Sequence, residues 1–539
     1  MSSIPFSRDK IVYRSGVQLL ALQDRTGGGV IQNTDQIVAT LGRFERGPID
    51  RAFLVDASTR QRMLGQASST LASALNEAHI QLHEALDAGA YQMVVSRLAP
   101  AAAKNNLMVV TLGADKKGTW AVAETAPASF LVSVKHLECF NDGVKIGIYA
   151  PESRTDQGVL QPSTEVVIRL CDAKTGEALF DDFQGSLLPT AKDQSGMSSF
   201  LPAIVSGLTE MVEVAVGNGQ SVPTDADFYG LDGSGNEKWV FATLNYFAEG
   251  GTAYVSTDYD AAITRLYDTD IGWGYLHGGG TQNVSLLSKL SAFATRTNKP
   301  FPFDVPGNLS ADAAIAFVQN LGLDSHYPVA LWCPVLADDP LNGGKAYIGA
   351  SGVHLGMRCA RNAVTDANGV APKHRPVAGA AFPITNRTGA RQMRKLDDPT
   401  LDKLAKAKIN PVCFETYSSG SKLVFRDSLT CAKTNGDKSL ASVAEMSASV
   451  DDAVTAFSKE VLQGPMDEAI SKVKGFIETT FESLQTAGWF VPSDDLKGSA
   501  YKAKISANTQ APKQKMDTRY SIAYQGVARV ITVGQTLSK

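Results

Sequence analysis

The sequence predicts a multidomain protein of mixed α/β and α+β class. Three observations carry this. The chain has 539 residues, enough for about three or four domains. Apolar strand-like runs alternate with amphipathic helical runs near the start and again from about 238 to 384. Between 125 and 237 the runs are short and strand-like, and helical periodicity is weak until about 199.

The first 35 residues are polar and turn-rich around Thr26-Gly-Gly-Gly29. Such a segment buries too little to order itself, so 1–35 reads as a terminal arm. Ile37–Leu41 reads as a buried strand, Gly47-Pro48 as a turn and Ala52–Val55 as a second strand. Leu71, Leu75, Ala78, Leu82 and Leu86 recur along one face of a helix predicted over 70–87. Tyr91–Arg97 follows as a strand, which completes a strand–helix–strand unit within 36–124.

In the β-rich stretch, Phe130–Val134, Val144–Tyr149 and Val166–Leu170 are strands between turn residues. From 238, strands are predicted at Thr252–Ser256, Ile271–Leu276, Pro300–Val305 and Val329–Val335. Helices fall between them at 259–267, 283–297 and 310–321, with Asn283 and Ser310 as N-caps. This alternation calls for a mainly parallel sheet covered by helices. In the last region, 385–518, Asp398-Pro399 opens a helix that Asn410-Pro411 stops. Strands follow at Val412–Tyr417 and Lys422–Arg426, then a long helix over 466–487 with Ile470, Val473, Ile477, Phe481 and Leu484 inward and Gly488 at its end. The terminal 519–539 holds two strand-like runs, Arg519–Tyr524 and Val527–Val533.

Composition removes several function classes. Basic and acidic residues number 51 and 55, a net charge of -4 without long runs of one sign; nucleic-acid binding as the main task is not expected. The first ten residues lack a secretory pattern, and no apolar run of about 20 residues occurs, so a cytoplasmic product without membrane insertion is expected. The six cysteines (Cys139, Cys171, Cys333, Cys359, Cys413 and Cys431) form no CxxC pair and read as buried free thiols.

Three segments, in order, carry a family resemblance. Val38-Ala-Thr-Leu-Gly-Arg-Phe-Glu-Arg-Gly-Pro48 is an apolar strand leading into Gly-x-x-x-x-Gly-Pro. Ala350-Ser-Gly-Val-His-Leu-Gly-Met-Arg358 precedes Gly369-Val-Ala-Pro372, with Asn362 near the place of an acidic residue. Leu401–Pro411, Val412–Phe414 and Leu423–Phe425 form a helix, Ile-Asn-Pro and two strands, and the 466–491 helix ends in Trp-Phe-Val-Pro. The set resembles the contractile tail sheath family of phages and phage-like injection machines.

That resemblance implies a core made from both chain ends, an outward β-rich insert at 125–237 and a subtilisin-like α/β layer at 238–384. It implies a structural subunit with no cofactor, which assembles in the host cytoplasm into the tail sheath of a virion. It also implies partners: copies of itself in a helical stack of hexameric rings, a tail tube protein, and baseplate and tail terminator proteins. Terminal arms would exchange strands between subunits, with Val527, Arg529, Val530, Ile531, Val533, Val17 and Leu19 as the expected contact residues. A bacteriocin or toxin-injection sheath is the neighbouring alternative.

Enzyme readings come from a few residues. Asp258 or Asp260, His277 and Ser351 supply the order Asp, His, Ser, yet geometry and not order makes a triad. His277-Gly-Gly-Gly280 is similar to an oxyanion loop, but no G-x-S-x-G accompanies it. Gly343-Gly-Lys-Ala346 lacks the spacing and hydroxyl of a phosphate loop. His79 and His83 have helical metal-ligand spacing without an evident third ligand. No catalytic, cofactor or metal residue is assigned, and a hydrolase-like α/β enzyme is the alternative from another class.

Overall fold

A computed structural model of the chain describes residues 34–70, 73–112, 118–154, 157–161, 164–217, 228–244, 254–532 and 535. Its centre is one predominantly parallel array of strands drawn from three distant parts of the sequence. Phe53–Val55 runs antiparallel to Gln92–Arg97, which lies parallel to Ile37–Gly42, which lies parallel to Tyr275–His277. The Leu276 amide then donates to the Pro300 carbonyl at 3.0 Å. Beyond it, Phe301–Val305, Pro328–Trp332 and Ile409–Tyr417 continue in parallel, and Gly420–Phe425 closes the edge antiparallel.

Period-two alternation sends each strand into two cores. Ile37, Ala39 and Leu41 share one with Ala330, Trp332 and Ile409. Val38, Met93, Val95 and Tyr275 pack on the opposite face with Leu82 and Leu355. Val329, Leu331, Val412 and Phe425 pack in a third cluster with Val353. The middle strands therefore build no sheet of their own. A short parallel sheet has two open edges, and here strands from the N- and C-terminal regions satisfy them.

On one face, helices Glu77–Asp87 and Ser351–Ala363 pack against each other at close range. Gly352 and Gly356 make this approach possible. A Cβ at Gly352 would lie 2.2 Å from the Gln81 carbonyl oxygen, and one at Gly356 2.4 Å from that of Ala85. The Ser-Gly-x-x-x-Gly pattern thus has a packing reason.

The β-rich region is a sandwich of two antiparallel four-stranded sheets. One contains Val212–Val216, Val132–His136, Leu107–Leu112 and Gly118–Ala123; the other contains Phe183–Ser186, Glu165–Asp172, Val144–Tyr149 and Val240–Leu244. They enclose a common core that includes Val110, Val134, Ile146, Ile168 and Leu201. The sandwich thus recruits strands before 125 and after 237. Arg46 ties it to the central array by a fork onto Asp142 (3.0 and 2.9 Å) and a contact with Asp172.

Local departures from the sequence reading have identifiable causes. The described part of the 70–87 helix is Glu77–Asp87 after a 3₁₀ turn at Ala74–Asn76, and Leu71 lies outside the described residues. Of the predicted strand 252–256, residues 252 and 253 lie outside the described residues, 254 and 255 form no strand, and a helix starts at Ser256, where the Asp258 carboxylate accepts from the Val255 amide at 2.8 Å. Asp397, one residue earlier than expected, caps helix Asp398–Lys406 by accepting from the Thr400 amide at 3.0 Å. Asn410-Pro411 belongs to strand Ile409–Tyr417 and not to the helix end. There Asn410 Nδ2 donates to the Ala330 and Leu429 carbonyls at 3.0 and 2.8 Å, bracing the position where Pro411 lacks an amide proton.

The C-terminal region packs helices Ala441–Glu460 and Met466–Thr486 against an antiparallel ribbon, Tyr501–Ala507 with Met516–Ile522. Phe481 is fully buried at its centre, edge-on to Phe490, Tyr501 and Tyr520 at 5.5, 5.1 and 5.5 Å.

Candidate functional site

The chain ends are the first candidate, and one helix holds both roots. The start of the described chain, Asp35, pairs with Lys373 Nζ at 2.6 Å, and the same ammonium donates to Ser449 Oγ at 2.7 Å on helix Ala441–Glu460. Tyr520 donates its hydroxyl proton to Asp451 on that helix. Backbone bonds from Val491 to Ala523 and from Gln525 to Trp489 fix the last anchored residues.

A buried ion cluster reinforces the N-terminal root. Glu445 meets Arg361 and, at 3.4 Å, Arg358, and accepts from the Tyr275 hydroxyl at 2.5 Å. Asn362 joins in, donating to Tyr275 Oη and to the Asp35 carbonyl. Burial pushes the Glu445 carboxyl up, but Arg361, Arg358, Lys373 and the Tyr275 bond outweigh it and hold the pKa at about 2.

Past Gln525 the chain leaves the core. Val527–Val533 was expected as a strand, but its described residues, 527–532, form none. Among the described residues no strand pairs with them, and an isolated strand leaves its amides and carbonyls without ladder partners. Val530 and Ile531 are 85% and 78% exposed. Val527 is half-buried, and Arg529 donates to Asp427 at 2.9 Å. Val533, Val17 and Leu19 lie outside the described residues. The neighbouring ribbon is a sheet of two strands only.

The serine cluster is the second candidate, and its wiring is unlike a hydrolase. His277 and Ser351 do meet, Nε2 to Oγ at 3.0 Å. Asp258 caps its helix, accepting also from the Ala101 amide at 3.0 Å, and Asp260 pairs with Lys289, so neither approaches His277 through a bond. The acid that joins is Asp304, absent from the sequence-based set, and it bonds Ser351 Oγ instead of the imidazole.

Proton directions follow from the partners. The Gly279 amide donates to His277 Nδ1 at 3.2 Å, and Thr40 Oγ1 lies 2.9 Å from the same nitrogen. Nδ1 is therefore the acceptor, Nε2 carries the proton, and Ser351 donates onward to Asp304. A general base must accept the serine proton; this imidazole gives one to the serine. His277, Ser351 and Asp304 are at most 3% exposed, and burial lowers the His277 pKa to about 3. Asp304 also accepts from the Ala350 and Ser351 amides at 2.6 and 2.9 Å, so it caps helix Ser351–Ala363 from a neighbouring strand.

The glycines after His277 have a packing role. Gly279 has φ +61°, and a Cβ there would sit 2.3 Å from the Leu41 carbonyl oxygen. Gly343-Gly344 makes the turn between strands Val335–Asp338 and Lys345–Tyr347, braced by Asp339. His83 pairs with Asp87 at 3.2 Å while His79 turns to another cavity. Among the described residues no cluster of His, Cys, Asp and Glu has metal-holding geometry, no helix is long and apolar enough to cross a membrane, and the six cysteines are buried and form no disulfide.

No family model and no curated protein sequence matches the chain. Solved structures do. The chain is similar to a sheath tail protein from Desulfitobacterium hafniense, with 13% identity over 90% of this chain and 96% of that one, and a TM-score of 0.48. It is also similar to the sheath complex of an extracellular contractile injection system in its contracted state, with 16% identity over 52% and 75% of the two chains and a TM-score of 0.42. A chain of the anti-feeding prophage baseplate gives 11% identity over 57% and 77%, with a TM-score of 0.40. The solved structures to which this chain is similar thus come from a tail sheath and from contractile injection assemblies.

Proposed function

We propose that the chain is the structural subunit of a contractile tail sheath, polymerising helically around a tail tube and driving it through a host envelope on contraction. One observation carries this reading: both chain ends are rooted on the Ala441–Glu460 helix, through Ser449 on one side and Asp451 on the other. Force applied to either arm therefore reaches the same rigid body. The motif order along the sequence, from Val38 to Pro48 through Ser351 to Arg358 and on to Leu401–Phe425, supports the same reading.

The arms act by strand addition. Val530 and Ile531 stand exposed in a segment, 527–532, that forms no strand, and a two-stranded ribbon has edges that can accept a neighbour's strand. Val527, Arg529, Val530, Ile531 and Val533, with Val17 and Leu19 of the N-terminal arm, are the proposed contacts. Each bond contributes only about 0.5–1.5 kcal/mol, and many linked subunits make the mesh durable. A head-to-tail contact that does not close on itself yields a helical filament.

The reading extends to hexameric rings, a subtilisin-like ancestry of the middle layer, tube, baseplate and terminator partners, and a place in a virion tail assembled in the host cytoplasm. Contraction is a rigid-body rearrangement from a metastable lattice and needs no nucleotide. A bacteriocin-type device would use the same subunit chemistry.

Removing 527–539 is expected to leave a folded monomer that forms no tubes in negative-stain electron microscopy. Tubes of normal appearance from that truncation would overturn the reading. For the hydrolase alternative, a fluorophosphonate probe is expected to leave Ser351 unlabelled, since its proton is directed to Asp304; labelling at Ser351 would reverse that expectation.

A further inference from the structure

The histidine pair on helix Glu77–Asp87 divides into two different environments. His83 is engaged by Asp87 at 3.2 Å. His79 is 5% exposed and edge-on to Phe44 at 5.0 Å, and its buried Nε2 has no hydrogen-bond partner. Arg60 presents a guanidinium nitrogen, Nη1, in the same unpaired, buried condition. Both side chains line one cavity of about 380 Å³, together with Gln61, Gln66 and Asn342. No carboxylate is among its described lining residues.

A buried donor without an acceptor is costly, more so when it carries charge. Arg60 Nη1 is one such donor, and His79 Nε2 is a second in the tautomer that protonates it, so the lining is short of an acceptor. His79 is neutral near pH 7, because burial and then the Arg60 charge lower its pKa to about 4. The wall therefore offers one permanent cation, an imidazole able to donate, and three side-chain amides. Asp87, whose charge reaches Arg60, is held by His83 and stands outside the lining. A metal ion would face the guanidinium charge without an anionic ligand, so the chemistry favours an anion.

We infer that this cavity is a binding site for a small oxyanion of phosphate type, with Arg60 supplying the charge and His79 and the amides completing the hydrogen bonds. The site does not depend on the sheath reading.

Inorganic phosphate titrated calorimetrically into the full-length protein, at ionic strength held constant with chloride, tests it. Saturable one-site binding is expected, weakened at least about tenfold in Arg60→Gln by loss of the charge-assisted contact. His79→Gln, which keeps an amide donor in place of the ring, is expected to weaken binding less than Arg60→Gln does. Arg62→Gln is the matched control, since Arg62 pairs with Glu138 at 3.2 Å and lies outside this cavity; it is expected to bind as the unaltered protein. Absence of saturable binding, equal binding by Arg60→Gln, or an equal loss in Arg62→Gln would each overturn the inference.

Discussion

Replacing Glu445 with Gln is the most informative single perturbation of the framework. Glu445 is 2% exposed and is the shared counter-charge of Arg361 and Arg358. Glutamine keeps the size and an acceptor for Tyr275 but leaves two buried guanidinium groups without an anion. Breaking a buried pair in this way costs about 3–5 kcal/mol. The carboxyl gives a second route to the magnitude: a pKa drawn from 4.5 down to about 2 corresponds to about 3 kcal/mol. The two routes agree.

Several cores share the chain, so the readout must be local. Hydrogen exchange of peptides covering 34–42, 351–363 and 441–460 in Glu445→Gln is expected to accelerate about 100-fold at pH 7. The pH dependence has a definite sign. A carboxyl with a depressed folded-state pKa stabilises fully above its unfolded value, and that contribution is lost as pH falls from about 4.5 toward 2. The melting difference between the two proteins should therefore be large at pH 7 and less than half as large at pH 3. Exchange unchanged within about threefold, or a melting gap that persists in acid, would refute the assignment of Glu445 as the electrostatic centre of the N-terminal root.

Two further outcomes follow from buried groups elsewhere. Glu77 is fully enclosed, and burial and then the charge of Asp304 raise its pKa to about 8. The unfolded chain loses this proton near 4.5 and the folded chain holds it to about 8, so the carboxyl destabilises progressively as pH rises through that window. Glu77→Gln, which retains an acceptor for the Gly349 amide, should melt higher than the unaltered protein by a margin that grows between pH 5 and 8, to about 3–5 kcal/mol; a margin independent of pH would contradict this. Phe481→Ala removes the ring that Phe490, Tyr501 and Tyr520 surround and should cost about 3–5 kcal/mol. Limited proteolysis should then cut within 501–522 while the β-sandwich stays protected, and protection of 501–522 would contradict it.

Much of the fold was legible because strong periodicity reflects burial. Strands Ile37–Gly42, Gln92–Arg97, Val144–Tyr149 and Phe301–Val305, and helices Val284–Thr297, Ala311–Leu321 and Met466–Thr486, stand close to where their apolar patterns put them. The caps at Asn283 and Ser310 do accept from the Leu286 and Ala313 amides. Helix Ala441–Glu460 escaped because Ala and Ser make up much of its length and leave only a faint apolar stripe. Strand Tyr501–Ala507 escaped because none of its residues is fully buried and only Tyr501 and Ile505 give it large apolar side chains against the core. Asp304 could not be linked to Ser351, since a sequence separation of 47 carries no spacing rule.

The sequence by itself determined the order and period of the elements, the polar opening segment, and the apolar character of 527–533. These are local properties, set by which side chains repeat every two or every 3.6 residues. Only the tertiary structure decided that strands from 37–97, 275–332 and 409–425 share one array. It alone decided that Ser351 donates to Asp304, and that Val530 and Ile531 stand exposed and, among the described residues, pair with no strand. Pairing and proton direction are properties of residues far apart in the chain. They are fixed by which edges and acceptors remain open after the cores have packed.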